Sequence, residues 1–208
     1  MIAELLDLLP KKTRSLLINN LAHIYIELWP PCLDTHRTEN WGVGPDKYLE
    51  IAKNIKIGDV ILQHKNGYVA NKLIPGYMSH AAIYVGEMEG FSRGVVHMVN
   101  PKIQMVELFE MTRCDAMEIW TPAKPMMNFE RGALKGKVYE LLDRVVRYDY
   151  SFIEGNQEYY CSELIMEIYK IFKDVNFFKS SKFGREYYEP DKFIRNSNSW
   201  VLRSSFGP

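Results

Sequence analysis

The sequence has no excess of charge of either sign: 26 basic side chains are matched by 26 acidic ones among 208 residues. A nucleic-acid binder needs a basic face to meet phosphates, and this balance offers none, so no nucleic-acid partner is expected. Cysteine is scarce. Cys32, Cys114 and Cys161 are odd in number and widely spaced, which suits a reducing compartment with one working thiol better than a disulfide framework. No Cys-x-x-Cys or His-Glu-x-x-His pattern occurs, so neither a metal site nor a cofactor is expected. An unbroken apolar run of about 20 residues, the length a membrane-spanning helix needs, is also missing. The Leu- and Ile-rich start is not built like a secretory signal. Glu4 and Asp7 stand where positive charge belongs, Pro10-Lys11-Lys12-Thr13-Arg14 interrupts the run, and no small-residue cleavage site follows. These absences point to a cytoplasmic protein, with membrane contact the less favoured reading.

What the chain does have is enough apolar material, 47%, to build one full core. Two helices are expected first, over residues 2–9 and about 13–28, with Pro30-Pro31 as the stop. In the second, Leu16, Leu17, Leu21, Ile24 and Leu28 form a mostly one-sided stripe, fit to pack on a neighbouring domain. Cys32 to Trp41 is polar and reads as a linker. The expected organisation is therefore a helical extension, 1–50, ahead of a single domain, 51–208.

Chemistry concentrates around Cys161. A polar stretch, Glu154-Gly155-Asn156-Gln157, precedes Glu158-Tyr159-Tyr160-Cys161-Ser162-Glu163. After it Leu164, Ile165, Ile168 and Ile171/Phe172 recur with the period of an amphipathic helix. The thiol thus falls in the first helical turn, where free backbone N–H groups and the helix dipole favour a thiolate. A small buried core residue is the alternative that position alone leaves open. Glu163 reads as a first-turn acid favoured by the same dipole.

A reactive thiol needs a base. His80 opens the β-type run His80-Ala81-Ala82-Ile83-Tyr84-Val85-Gly86, and His97 sits in Val95-Val96-His97-Met98-Val99 before an Asn100-Pro101 breaker. The segment 87–94 reads as a hairpin connection, so the two strands should pair antiparallel with both histidines near one sheet edge. His23, His36 and His64 read as structural or surface residues. Around these, a short helix over 48–54, strands over 60–64, 103–110 and 117–120, a short helix over 68–74 and a longer one over 131–146 are expected. The longer helix should bury Leu134, Val138, Leu141, Leu142 and Val145. The tail from 176 reads as irregular, aromatic and basic.

Four of these elements, Gly58-Asp59-Val60-Ile61-Leu62, His80 to Gly86, Val95 to Pro101 and Tyr160-Cys161-Ser162-Glu163, resemble the NlpC/p60 superfamily. The order, histidine before cysteine, resembles its circularly permuted branch, which includes YiiX-like and lecithin–retinol acyltransferase-like proteins. Tyr148-Asp149-Tyr150-Ser151-Phe152 followed by the Cys161 element looks most like the YiiX-like group, whereas the His97 neighbourhood looks more like the acyltransferases. The resemblance covers roughly residues 55–190. It implies an α+β, permuted papain-like fold: a central antiparallel sheet with the nucleophile helix packed on it, N-terminal helices being added here. It also implies Cys161 as nucleophile, His80 as general base and His97 as the group that orients His80, with an acid such as Glu107 as the substitute if His97 is misplaced. Backbone N–H groups at the start of the Cys161 helix would hold an oxyanion.

Gln63, at a strand end, is a second oxyanion donor or simply an exposed residue. Tyr77 lines a pocket or packs, and Tyr160, beside the nucleophile, is a third candidate for substrate contact. The function implied is a cysteine peptidase or amidase acting through an acyl-Cys intermediate on small peptides or amino-acid amides, with peptides related to those of cell walls in view. The alternatives are a thiol acyltransferase or lipid hydrolase acting on a lipid-like substrate, and a non-catalytic ligand-binding member.

Overall fold

The computed structural model describes residues 41–67, 74, 76–150, 152–182 and 185–207, together with 10, 12, 13, 16, 27–29 and 32–34. Its centre is a six-stranded sheet built from β3 (Val60–His64), β4 (His80–Met88), β5 (Phe91–Val99), β6 (Lys102–Glu107), β7 (Ala116–Pro122) and β10 (Trp200–Phe206). The order is β10-β7-β3-β4-β5-β6, and every neighbouring pair is antiparallel.

The two faces bury different side chains. Ala81, Ile83 and Val85 of β4 and Val96 and Met98 of β5 pack with α3 (Asn128–Asp143) and α4 (Cys161–Tyr169). Ala82 and Tyr84, with Val95, pack with α1 (Tyr48–Asn54) and α2 (Leu108–Met111) on the other side. Because both faces are covered, β3 and β4 read as continuous apolar runs rather than as alternating ones. Strand period two puts His80 and His97 on the α1/α2 face, together with Gln63 and Gln104.

α4 is what positions the nucleophile. Leu164, Ile165 and Ile168 are fully buried, each contributing about 2 kcal/mol of apolar transfer. Tyr169 is buried too, and its hydroxyl donates to the Gly58 carbonyl just before β3. Gly58 has φ +92°, and a Cβ there would meet Met126 Sδ at 2.4 Å, so only glycine allows this close approach. The helix ends at Tyr169, and Ile171 is exposed instead of extending the stripe.

Several boundaries differ from expectation. β6 stops at Glu107 and α2 follows, because Leu108 and Met111, three apart, both reach the core only as a helical turn. α3 starts earlier, its Met127 N–H donating to Glu130 Oε2 at 2.7 Å, and it ends at Asp143. Val145 lies past it, 93% exposed rather than buried. The tail is not irregular. β8 (Ser180–Lys182) and β9 (Arg185–Tyr187) form a small hairpin, Phe193 and Ile194 are fully buried, and β10 covers what would be an open edge of β7. Arg203 on β10 pairs with buried Asp59 at 2.9 Å and donates to Thr121 Oγ1 at 2.8 Å, which fixes that edge across β7 to the start of β3.

At the other terminus, β1 (Glu27–Trp29) pairs antiparallel with β2 (Cys32–Asp34). A helix therefore does not run to residue 28, and 32–34 is not plain linker. Proline pushes the residue before it into extended conformation, which makes Trp29 a strand residue. The expected helix over 2–9, most of that over 13–28, and that over 68–74 save Ile74 lie outside the described residues. The segment from Trp41 joins the main core. Val43 is buried and its N–H donates to Cys114 O at 3.0 Å, and α1 crosses position 50.

Candidate active site

Tyr160 caps α4 in extended conformation and Cys161 is its first residue, as the sequence pattern requires. The sulfur accepts from the backbone N–H groups of Ser162, in its own turn, and of Ala81, the residue after His80. Pairing of β4 with β5 begins only at Ala82↔His97, so the Ala81 amide lies just beyond the ladder and is released to face the thiol. The nucleophile helix packs on the Ala81 face of β4, and His80, the preceding residue, starts the opposite face.

His80 Nε2 lies 3.0 Å from His97 Nδ1, with the rings edge to face at 73°. The strands pair antiparallel as expected, and His97 is the ring that His80 meets. Glu107 does not compete for it. Its carboxylate accepts the N–H groups of Ser92 at 2.7 Å and Arg93 at 3.1 Å, at the far end of β5.

Electrostatics overturn one expectation. The N–H donors pull the Cys161 thiol toward ionisation, but burial outweighs them and pushes it above the usual cysteine range. His80 is driven well below the ordinary imidazole value, first by burial and then by the charges of His97 and Lys65. His97 falls to about 4 for the same leading reason, with Lys65 again opposing its protonation. At neutral pH the resting pair is therefore a thiol and a neutral imidazole, not the thiolate that the helix start alone implied. Among the described residues no carboxylate contributes to either ring's ionisation.

Two of the expected substrate contacts are structural instead. Gln63 is buried opposite His80, and its amide donates to the Met111 carbonyl, so that hydrogen holds α2 rather than an oxyanion. Tyr160 is also buried, with its hydroxyl accepting the Tyr188 N–H at 2.7 Å, while Ser162 Oγ donates to the Tyr188 carbonyl at 2.5 Å. Tyr188 is thereby fastened to both sides of the nucleophile. Tyr77 is half exposed and stacks on His64 at 4.2 Å, so it remains at the rim.

Tyr148 was not singled out by sequence reasoning, yet it is half-buried against the core that holds Cys161, and the charge of that sulfur helps to raise the phenol's pKa after burial. The signal was the Tyr148-Asp149 element ahead of the nucleophile, whose main chain bridges to Tyr159. Among the described residues no group of three or more His, Cys, Asp or Glu is placed to hold a metal ion. Nor is any of their helices long and apolar enough to cross a membrane.

Comparison with known families decides what this geometry belongs to. A family model described as permuted papain-like amidase enzyme, YaeF/YiiX, C92 family, matches residues 54–204. The chain belongs to the C92 family. As a C92 member it is a cysteine peptidase or amidase by family, with the permuted papain-like fold. The fold is independently that of a solved structure, metalloprotein yiiX from Escherichia coli O157:H7. The two share a TM-score of 0.61 and 14% identity over 74% of this chain and 99% of that one. No curated protein matches the chain.

Proposed function

We propose that the protein cleaves amide bonds of small peptides or amino-acid amides through an acyl-Cys161 intermediate, using a Cys161–His80–His97 triad of the NlpC/p60 type. The observation that carries it is the Cys161 sulfur set against the amide of Ala81, the residue after a His80 whose Nε2 is bonded to His97 at 3.0 Å. With Nε2 of His80 turned to His97, Nδ1 is the nitrogen left for the thiol. Because both groups are neutral at rest, the proton moves from Sγ to Nδ1 as the sulfur attacks the carbonyl carbon, which is general-base rather than preformed ion-pair chemistry.

The new oxyanion is held by the N–H of Cys161 at the helix start and by the Tyr148 phenol, in place of Gln63. His80 then returns its proton to the leaving amine. Water, deprotonated by the same imidazole, releases the acid from sulfur.

The experiment is a panel of aminoacyl p-nitroanilides and short peptides, with mass spectrometry of quenched protein. An acyl adduct on Cys161, absent in Cys161→Ala, is expected, together with loss of turnover in that variant while far-UV circular dichroism is unchanged. Undiminished turnover in Cys161→Ala refutes the assignment. A second reading, an acyl substrate with a long apolar chain, is favoured by one feature. The loop that carries Tyr148 exposes Val145 and Ile153, which are 93% and 51% accessible. Preference for lipid esters over amides in the same panel would select it.

A further inference from the structure

His97 has two ring nitrogens pointing in nearly opposite directions, and only one of them is accounted for. Nδ1 meets His80 on β4, whereas Nε2 is buried and without a hydrogen-bond partner. The strand on that other side is β6, and the residue in register with His97 across it is Gln104. Directly opposed residues of an antiparallel pair share a face, with Cβ atoms about 4.5–5.5 Å apart. The Gln104 carboxamide does not meet Nε2 in this structure, and rotation about its side-chain torsions is what brings its oxygen within reach. Gln104 is half buried.

The tautomer chemistry makes this position matter. For His80 to take a proton at Nδ1, its resting proton must sit on Nε2 and be donated to His97 Nδ1. His97 must then carry its own proton on Nε2, which needs an acceptor. In the opposite arrangement His97 donates through Nδ1, His80 presents Nδ1–H to the thiol, and the base is blocked. An acceptor at His97 Nε2 therefore selects the competent state of both rings.

We infer that Gln104 is a positioning residue, its side-chain oxygen accepting from His97 Nε2–H and so holding His80 in the tautomer that can accept the Cys161 proton. This rests on the triad reading above. No proton leaves through Gln104. It stays bonded to an N–H throughout the cycle, and the proton taken from Sγ resides on His80.

The test uses the full chain and two readouts, 15N NMR of the imidazoles and the rate of Cys161 alkylation by iodoacetamide at pH 7. Wild type should show His97 protonated at Nε2 with a bare Nδ1. Gln104→Leu should lose that preference, with alkylation slowed about tenfold, the lower end of what removing an outer hydrogen-bond partner does. Gln104→Glu should keep the tautomer, restore the rate and move the acid limb of the alkylation profile to higher pH, since a carboxylate supports an imidazolium. The inference is overturned by the same His97 tautomer in wild type and Gln104→Leu. It is equally overturned by a Gln104→Glu protein with an unshifted acid limb, a result that stands even if Gln104→Leu does not fold. If Cys161 is not the nucleophile, alkylation becomes insensitive in all proteins alike while the tautomer readout persists, so the two failures separate.

Discussion

Replacing Glu163 by glutamine should stabilise the protein although it alters a carboxyl two residues from the nucleophile. Glu163 is the third residue of α4, buried, with neither carboxylate oxygen holding a hydrogen-bond partner. The helix dipole and the nearby Tyr160 N–H favour its ionised form. Burial first, then the negative charges of Asp149 and Glu154, oppose it, and the result is a pKa pushed up to about 8.

The unfolded chain ionises this group near 4.5, so at pH 7 folding forgoes a favourable ionisation across roughly 2.5 pH units. At about 1.4 kcal/mol each, that is on the order of 3 kcal/mol, and structural relaxation lowers it toward 2. The sign follows from the raised value: this group's contribution is full below pH 4.5 and is lost as pH rises toward 8.

Glutamine has nearly the same shape and no ionisation to forgo. Glu163→Gln should therefore gain about 2–3 kcal/mol at pH 7, or roughly 4–12 °C in Tm for a chain of this size. Urea unfolding of both proteins at pH 5, 6, 7 and 8 checks it, the difference growing with pH and vanishing near pH 4.5. A constant difference, or a glutamine protein less stable at pH 8, refutes the reasoning that the carboxyl is buried and neutral.

Two further outcomes are expected. His97, held at about 4, binds its proton more weakly folded than unfolded, so stability should be full above about 6.5 and decline by about 2–3 kcal/mol as pH falls to 4. Denaturant melts should show a steeper acid-side decline in wild type than in His97→Phe, which keeps only the part that buried His80 contributes. Tyr160→Phe removes the acceptor of the buried Tyr188 N–H and should cost about 1–3 kcal/mol with little change in substrate KM, whereas a large KM change with unaltered Tm would restore Tyr160 as a substrate contact.

Much of the site was legible because its local signals agree. A polar loop, an N-terminal thiol and an apolar helix stripe placed Cys161. Two β-type runs with a turn between them gave the His80 and His97 strands in antiparallel register. What could not be read depends on distant contacts. Burial of Cys161 reversed the thiolate expectation, because local sequence shows the helix start but not the layer packed over it. Tyr160 sits beside Cys161 in sequence and Gln63 lies near a strand end, yet their polar ends are engaged by Tyr188 and Met111, 28 and 48 residues away. β10 was missed since a seven-residue strand buried only at its two ends takes its place from the open edge of β7.

The fastening of Tyr188 to both Tyr160 and Ser162 has a consequence for synthesis. A chain emerging from the ribosome at about 5–20 residues per second exposes Cys161 well before residue 188, and before the 200–206 strand that closes the sheet. Until then the helix start lacks the partners that hold its first turn, and β7 lacks its outer neighbour. Assembly of the thiol's mount is thus deferred to contacts of long sequence separation, which form late and slowly. The nucleophile is translated first and armed last, so a nascent chain carries the reactive residue without the surroundings that let it react.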